Sequence, residues 1–104
     1  MPKEPRAGQF EQLVILAILR LKENAYGMAI RREIQDCTER IVALGAVYTT
    51  LDRLEKKGYV SSWTGSPSPE RGGRAKRFFK VQTLGKAALR NSASIRAAMS
   101  AGLK

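Results

Sequence analysis

The stretch GAVYTTLDRLEKKGYV, from Gly45 to Val60, has the spacing of an amphipathic helix that leads into a strand. Val47, Leu51 and Leu54 recur at intervals of four and three residues, which places them on one face of a helix. Gly58 is a typical helix stop. The opposite face is polar and basic and carries Thr49, Thr50, Arg53, Lys56 and Lys57. The stretch therefore predicts a helix over 45–58 that packs on a core with one side and offers hydroxyls and positive charge to a partner with the other.

The positive charge of the chain is concentrated in its second half. The 104 residues carry a formal net charge of +10. Residues 1–52 contain seven basic and seven acidic side chains, whereas residues 53–104 contain twelve basic side chains and only Glu55 and Glu70 as acids. Such asymmetry is typical of a domain that contacts a polyanion. Charge alone does not distinguish DNA from RNA or from an acidic membrane surface.

The residue content argues against an enzyme, a metal site and a membrane protein. Histidine, the commonest general base and metal ligand, is absent, and Cys37 is the only cysteine. We therefore expect no catalytic residues, no metal and no cofactor, and we expect Cys37 to be a small core residue. No apolar run approaches the roughly 20 residues that span a bilayer, and residues 1–10 lack the apolar region of a signal peptide. We expect a cytoplasmic protein.

The order of predicted elements suggests a fold. After a flexible arm over 1–8, the chain predicts a helix over 9–22, a helix from Tyr26 to Cys37, a brief strand over 40–44, the helix over 45–58, strands over 59–64 and 76–81, and a last helix capped by Thr83. Three helices followed by a hairpin with a basic loop form the winged helix-turn-helix arrangement, in which the third helix enters the major groove. The predicted fold is mainly α with a small β-hairpin: a winged-helix domain over 9–82 and a C-terminal dimerisation helix over 83–104.

Two of the predicted helices carry apolar surface that a chain of this size does not readily bury by itself. The helix over 9–22 is apolar nearly all round, so that either its own fold or a second copy of the chain must cover its remaining side. The last helix has only a thin apolar stripe flanked by alanines and needs a partner helix. We therefore expect a homodimer, and the predicted interface residues are Phe10, Leu13, Leu16, Ala88, Ile95 and Met99.

A set of short motifs stands in a fixed order along the chain. The motifs are Tyr26-Gly27, Gly45-Ala46-Val47-Tyr48 with Leu51, Leu54 and Glu55, Gly58-Tyr59-Val60, a basic wing that ends in Phe78-Phe79, and Thr83 with Gly85. In this combination the chain resembles the PadR family of transcriptional regulators, in its short branch with a single C-terminal helix. Phe79 departs from the pattern, because the family commonly has a tyrosine late in the second wing strand. The resemblance implies binding to double-stranded DNA, a phosphate contact by Tyr48, and a small-molecule effector that the sequence does not identify.

Two groups of side chains are the candidate DNA contacts. The early turns of a recognition helix lie deepest in the groove, where threonine hydroxyls and methyls can meet base edges, and the later turns reach the backbone. In the wing, five basic residues lie within ten positions around Gly72-Gly73, and an arginine there can enter the narrow minor groove. A solvated polar surface is the alternative in both places. The candidate set is Tyr48, Thr49, Thr50, Arg53 and Lys57 on the helix, and Arg71, Arg74, Lys76 and Arg77 in the wing.

The second strand of the wing also predicts how the hairpin packs. Because successive side chains of a strand point to opposite faces, one of Phe78 and Phe79 should lie in the core and the other should pack on the last helix.

These observations predict a homodimeric, sequence-specific DNA-binding regulator, in particular a repressor that binds an inverted-repeat operator. The alternative is a winged-helix module that binds RNA or acts as a protein adaptor, since a fold alone does not fix a function. A preference for palindromic DNA would distinguish the two. An enzyme is a third and weaker hypothesis, because the sequence offers no pairing of a nucleophile with a base.

Overall fold

A computed structural model describes residues 4–65 and 75–103. The elements are α1 (Gln9–Leu21), a 3-10 turn (Lys22–Asn24), α2 (Gly27–Thr38), α3 (Leu44–Lys56), β1 (Val60–Thr64), β2 (Arg77–Val81) and α4 (Thr83–Ser100). The strands form an antiparallel hairpin in which Val60 pairs with Val81 and Thr64 with Arg77. An isolated bridge between Tyr26 and Phe78 joins this hairpin to the start of α2. The predicted winged helix-turn-helix arrangement is confirmed.

The core lies between the first three helices and the hairpin. The largest fully buried side chains are Phe79, Ile15, Ile30, Leu51, Leu54, Val14 and Val47. Burial of one such side chain contributes roughly 1.5–3 kcal/mol, so these positions hold the elements together. α2, α3 and β2 all pack on α1, so that most of its apolar circumference is covered within the protomer. Leu16 and Leu19 remain exposed on α1.

The end of α3 shows why the quoted stretch contains a glycine. Gly58 has φ of 78°, in the left-handed region that a side chain disfavours. The Tyr59 N–H donates to the Leu54 carbonyl over 2.9 Å, and the Gly58 N–H donates to the Glu55 carbonyl over 3.0 Å. This pair of hydrogen bonds is a Schellman motif. The predicted helix stop is confirmed, and the turn sends Tyr59 and Val60 back into the core.

The predicted strand over 40–44 is wrong. The residues before α3 form a connection without regular secondary structure, in which Val42 is buried. Side chains of α2 provide the hydrogen bonds that a partner strand would supply: Arg31 Nε donates to the Val42 carbonyl over 2.7 Å, and the Val42 N–H donates to Gln35 Oε1 over 3.0 Å. Val42 therefore folds against a helix rather than into a sheet.

Two further local predictions are wrong. The N-cap of α4 is Gln82 rather than Thr83, because the Gln82 N–H is held by the Tyr59 carbonyl over 2.8 Å and the helix begins at the next residue. Cys37 is exposed rather than buried, because the buried stripe of α2 ends one turn earlier at Ile34.

The segment before α1 is attached to α4, whereas we expected a flexible arm. Ala7 is buried, and its N–H and carbonyl both bond to Ser92 Oγ, over 2.8 Å and 3.1 Å. Asn91 Nδ2 donates to the Pro5 carbonyl over 3.1 Å, and the Arg6 N–H donates to the Tyr59 hydroxyl over 3.2 Å. These bonds fix the direction of α4 relative to α1. Residues 1–3 lie outside the described residues.

α4 belongs to the core only in its first half. Gly85 and Ala88 are its buried residues, so the prediction of Ala88 at a dimer interface is wrong. Every residue from 93 to 103 is exposed. The second half of α4 therefore extends away from the winged helix with its apolar side chains uncovered.

Gly85→Ala is expected to lower the free energy of unfolding by about 2 kcal/mol, since overpacking a tight site has roughly that cost. A Cβ at this position would overlap the Tyr59 carbonyl and lie 3.1 Å from Val81 Cγ1. That carbonyl cannot move away without losing its bond from Gln82. Urea unfolding measures the change.

Gly45→Ala is the matched control, because a Cβ there meets nothing within 4 Å and the residue lies in α3. We expect a gain of about 0.5 kcal/mol from the better helix former. Equal effects of the two substitutions would contradict the close approach at Gly85.

Candidate nucleic-acid interface

The exposed face of α3 carries hydroxyls and positive charge. Thr49, Asp52, Arg53 and Lys56 line one open concave surface on this helix. Arg53 and Lys56 form no ion pair within residues 4–65 and 75–103. Tyr48, which is 41% exposed, precedes them on the same helix. This face offers the chemistry that phosphates and base edges require.

Thr50 does not belong to that face. It is only 6% exposed, because it lies three residues after Val47 and four before Leu54 and so shares the buried side of the helix. Thr49 and Thr50 are consecutive and cannot both face solvent equally on an amphipathic helix. The predicted DNA contact of Thr50 is wrong, and Thr49 keeps its exposed position.

Lys57 turns from the end of α3 toward α1. Its Nζ lies 2.9 Å from Glu11 Oε2 and 5.6 Å from the centre of the Tyr59 ring. The ion pair joins the start of α1 to the end of α3. Because its charge is engaged within the protein, we do not retain Lys57 among the proposed DNA contacts.

Glu11 is the buried carboxyl of this ion pair. Burial acts to raise its pKa, but the hydrogen bonds from Lys57 and from the Gly8 N–H, with the charges of Lys57 and Arg53, outweigh burial and lower the pKa below its ordinary value. The Gly8 N–H donates to Glu11 Oε1 over 2.8 Å. The carboxylate therefore stabilises the first turn of α1 in its charged form.

Glu11→Gln is expected to lower the free energy of unfolding at pH 7 by about 1.5 kcal/mol, the lower end of the range for a hydrogen bond with a charged partner. A lowered folded pKa means that this stabilisation is complete above the ordinary pKa of 4.5 and is lost as the pH falls through the folded value. The difference between wild type and variant should therefore shrink below about pH 4.5. Urea unfolding from pH 7 to pH 3 measures it.

Glu23→Gln is the control, since this exposed carboxyl forms no ion pair in the described part of the chain. We expect its effect to stay within about 0.5 kcal/mol. A Glu11 effect that persisted unchanged at pH 3 would contradict the ion pair with Lys57.

A cleft joins the starts of α2 and α3 to the wing. Its lining residues are Tyr26, Gly27, Met28, Tyr48, Ala75, Lys76 and Arg77. α2 begins at Gly27 without a side-chain cap, so its first N–H groups have no side-chain acceptor in the part of the chain that the structure describes. Lys76 Nζ lies 3.7 Å from the centre of the Tyr26 ring. The cleft thus combines a lysine, a phenol and a helix N-terminus, which are all groups that bind phosphate.

The start of α2 contributes to this cleft, which the candidate residues from the sequence did not include. A Cβ on Gly27 would overlap the Tyr48 ring, so the glycine is what allows Tyr48 to lie across the start of α2. The signal was available in the sequence: a glycine at the first position of a helix, with no capping side chain before it, indicates a close neighbour or an anion site.

The two phenylalanines of β2 divide between the core and an aromatic cluster. Phe79 is fully buried, as the alternation predicts. Phe78 stacks on Trp63 with ring centres 5.7 Å apart and meets Tyr26 edge-on at 5.8 Å. The prediction that it packs on the last helix is wrong, because the bridge to Tyr26 holds this face of the hairpin against α2.

The basic residues predicted to form the wing contact differ in what the structure shows of them. Lys76 and Arg77 both line the cleft, and Arg77 also forms ion pairs with Asp52 and Glu55 of α3. Arg71 and Arg74 lie in the segment 66–74, outside the described residues, and their contact with DNA stays a prediction from the sequence.

Apolar side chains predicted for a dimer interface are exposed on two helices. Leu16 is 43%, Ile95 41% and Met99 77% exposed. Phe10 and Leu13 are partly buried against the core. Leu13 and Leu16 also border a groove of about 250 Å³ between α1 and α2. The surface available to a partner is therefore formed by α1 and by the second half of α4.

Comparison with known families decides the class of the protein. Residues 15–91 match the profile of the transcriptional regulator PadR-like family. The chain belongs to this family. The resemblance inferred from the sequence motifs is confirmed, and the chain is a PadR-like transcriptional regulator rather than an enzyme.

Solved structures agree with the fold of this PadR-like chain. The complex structure of hsRosR-S4 aligns with a TM-score of 0.66 at 18% identity, over 94% of this chain and 77% of that one. A protein from Thermoplasma acidophilum assigned as a transcriptional regulator gives a TM-score of 0.67 at 20% identity, over 88% and 83%. A PadR family transcription regulator from hypervirulent Clostridium difficile gives 0.66 at 21% identity, over 86% and 88%. At these identities the likeness establishes the winged-helix fold.

No curated protein matches the chain in sequence. Among the described residues, no helix is both long enough and apolar enough to cross a membrane. Membership of a family of transcriptional regulators supports DNA as the polyanion that the basic half of the PadR-like chain contacts.

Proposed function

We propose that this PadR-like protein is a homodimeric repressor that binds an inverted-repeat operator, with α3 in the major groove and the wing beside it. The observation that carries the proposal is the continuous surface formed by the exposed face of α3 and the cleft at the start of α2. Tyr48 belongs to both parts, since it lies on α3 and lines the cleft. Groups that read bases and groups that hold phosphates are thus adjacent, as a groove-binding helix requires.

The face of α3 supplies the contacts with bases and backbone. Thr49 lies at the second turn, where its hydroxyl and methyl can reach base edges. Arg53 and Lys56 follow one and two turns later, at the distance where side chains of a recognition helix reach the phosphate backbone. Asp52 borders the same surface and disfavours a phosphate beside it, which restricts how the duplex can lie.

The cleft supplies an anchor for a phosphate. The Tyr48 hydroxyl, the uncapped N–H groups at the start of α2 and the Lys76 ammonium border the same space. Such an anchor fixes the register of α3 in the groove without reading sequence. We propose that Arg71 and Arg74 extend this contact along the wing; their inclusion rests on the sequence alone.

The uncovered apolar surface supports a dimer. The second half of α4 presents Ile95 and Met99, and α1 presents Leu16 with Leu13 and Phe10 at its edge. Two copies that bury these residues by two-fold symmetry would present two α3 helices to one side, and such a dimer reads an inverted repeat. We further propose a cytoplasmic location, where the DNA lies, and an effector that changes the spacing of the two α3 helices.

Selection from a random duplex library tests the proposal. The expected result is enrichment of an inverted repeat with one fixed spacing, bound by two protomers per duplex. Enrichment of single half-sites, or binding to structured RNA that equals binding to the selected duplex, would contradict the proposal and favour the RNA-binding or adaptor module.

A further inference from the structure

Arg77 was predicted to contact DNA, yet its guanidinium group is already occupied by the protein. Its Nε donates to Ser62 Oγ over 3.1 Å, and one terminal nitrogen donates to Glu55 Oε1. The other terminal nitrogen lies 3.7 Å from Asp52 Oδ1, and the guanidinium carbon lies 5.0 Å from the centre of the Phe79 ring. A phosphate that used these two N–H groups would have to displace Ser62 and Glu55.

The contacts of Arg77 close a loop across three elements. Ser62 Oγ of β1 donates to Glu55 Oε2 of α3 over 2.7 Å, while Arg77 of β2 holds the other carboxylate oxygen. The Glu55 carboxylate therefore joins both wing strands to the helix that carries the DNA-binding face. When an arginine and a hydroxyl bind the same carboxylate, their side chains are held in one geometry, unlike those of a single mobile ion pair.

The cluster of Arg77, Glu55 and Ser62 attaches the hairpin at a different point from its buried anchor. Phe79 anchors β2 at its middle, where its side chain is fully buried and its N–H donates to the Ala25 carbonyl over 2.8 Å. Arg77 is the first residue of β2 and pairs with Thr64, the last residue of β1. The cluster thus lies at the end of the strands from which the wing loop leaves. A two-stranded hairpin is marginally stable by itself, so its outer end needs a second attachment to keep a fixed orientation relative to α3.

We propose that Arg77 is a positioning residue: with Glu55 and Ser62 it holds the wing at a fixed angle to α3, and it does not bind phosphate. This inference rests on the proposed DNA-binding function, because the angle matters when α3 and the wing engage one duplex together. A positioning role and a purely electrostatic role of this cluster predict opposite effects on DNA affinity. Removing the negative charge of Glu55 should weaken DNA binding, whereas a purely electrostatic effect would strengthen it.

The test compares Arg77→Gln, Glu55→Gln and the double variant with wild type on a labelled duplex selected as described above. We expect each single variant to weaken binding about fivefold, as for the loss of a small hydrogen-bonded charge network. The double variant should bind no more weakly than either single one, because both remove the same attachment. The dependence of affinity on salt should keep the wild-type slope. Asp36→Asn, which removes an exposed acid from α2, is the control and should leave affinity unchanged.

A second readout does not depend on DNA. Trp63 is the only tryptophan, and it lies on β1 one residue from Ser62. Acrylamide should quench its fluorescence more strongly in both single variants than in wild type or Asp36→Asn, while the urea midpoint stays close to wild type. A protein that shows these quenching changes but binds no duplex specifically would contradict the proposed function. The same result would still support the attachment of the wing to α3 by Arg77, Glu55 and Ser62.

Two results would overturn the inference. A salt slope reduced by about one in Arg77→Gln, together with tighter binding by Glu55→Gln, would identify Arg77 as a phosphate contact. Unchanged affinity and unchanged quenching in both single variants would show that the cluster does not hold the wing.

Discussion

Shortening the chain to residues 1–93 is expected to give a folded monomer whose affinity for the operator is about 100-fold lower or more, because the two half-sites are then bound independently. Residues 94–103 are all exposed, so their removal uncovers no core residue. Gly85 and Ala88, the residues of α4 that pack in the core, are retained. Ser92, which holds the segment before α1, is retained as well. The truncation therefore separates assembly from folding.

Light scattering measures the mass of the shortened chain, circular dichroism its folding, and fluorescence anisotropy its affinity. Met99→Asp provides the same test in the full chain, since it places a charge on the stripe that includes Ile95. Ala97→Asp is its control, because that position lies on the opposite side of α4. A shortened chain that remained a stable dimer would contradict the role of the second half of α4.

Reversing the charge of Arg53 and Lys56 together is expected to lower DNA affinity about 100-fold or more and to reduce the salt slope by about two. Each substitution by glutamate removes a cation from the exposed face of α3 and adds an anion there. Neither side chain has an ion-pair partner among the described residues, and the effect of the Arg53 charge on Glu11 is smaller than that of Lys57, so the protein itself should lose little stability. Anisotropy titrations at several salt concentrations measure both quantities.

The control for this variant is Lys86→Glu with Arg90→Glu, which changes the net charge by the same amount on the exposed side of α4. A general attraction between a basic protein and DNA would make the two double variants equally weak. A local interface on α3 predicts that the first loses far more affinity than the second. Equal losses would contradict the assignment of α3 as the DNA-binding helix.

The parts of the fold that could be predicted from the sequence depend on local patterns. The period of Val47, Leu51 and Leu54 identifies the buried face of α3, and Gly58 marks its end, because both depend on neighbours along the helix. The same pattern did not separate Thr49 from Thr50. A threonine is compatible with either face, so the exact rotation of the helix decides which of the two is buried.

The contacts that the sequence patterns did not reveal join partners distant in the sequence. Lys57 binds Glu11, 46 residues away, and Arg77 binds Glu55, 22 residues away. A cation that forms such a pair has the same appearance in the sequence as one that is free to bind DNA. The segment before α1 was expected to be loose for the same reason, since Ser92, which holds Ala7, lies 85 residues further along the chain.

Sequence-dependent binding to DNA is the central claim, and its most direct measurement is fluorescence anisotropy on a labelled duplex from upstream of the protein's own gene. A scrambled duplex of the same composition is the comparison, and both are titrated at two salt concentrations. We expect tight binding to the upstream duplex that saturates at two protomers per site and exceeds binding to the scrambled duplex at both concentrations. Equal binding to the two duplexes that disappears at the higher salt concentration would show only a basic surface and would contradict the account.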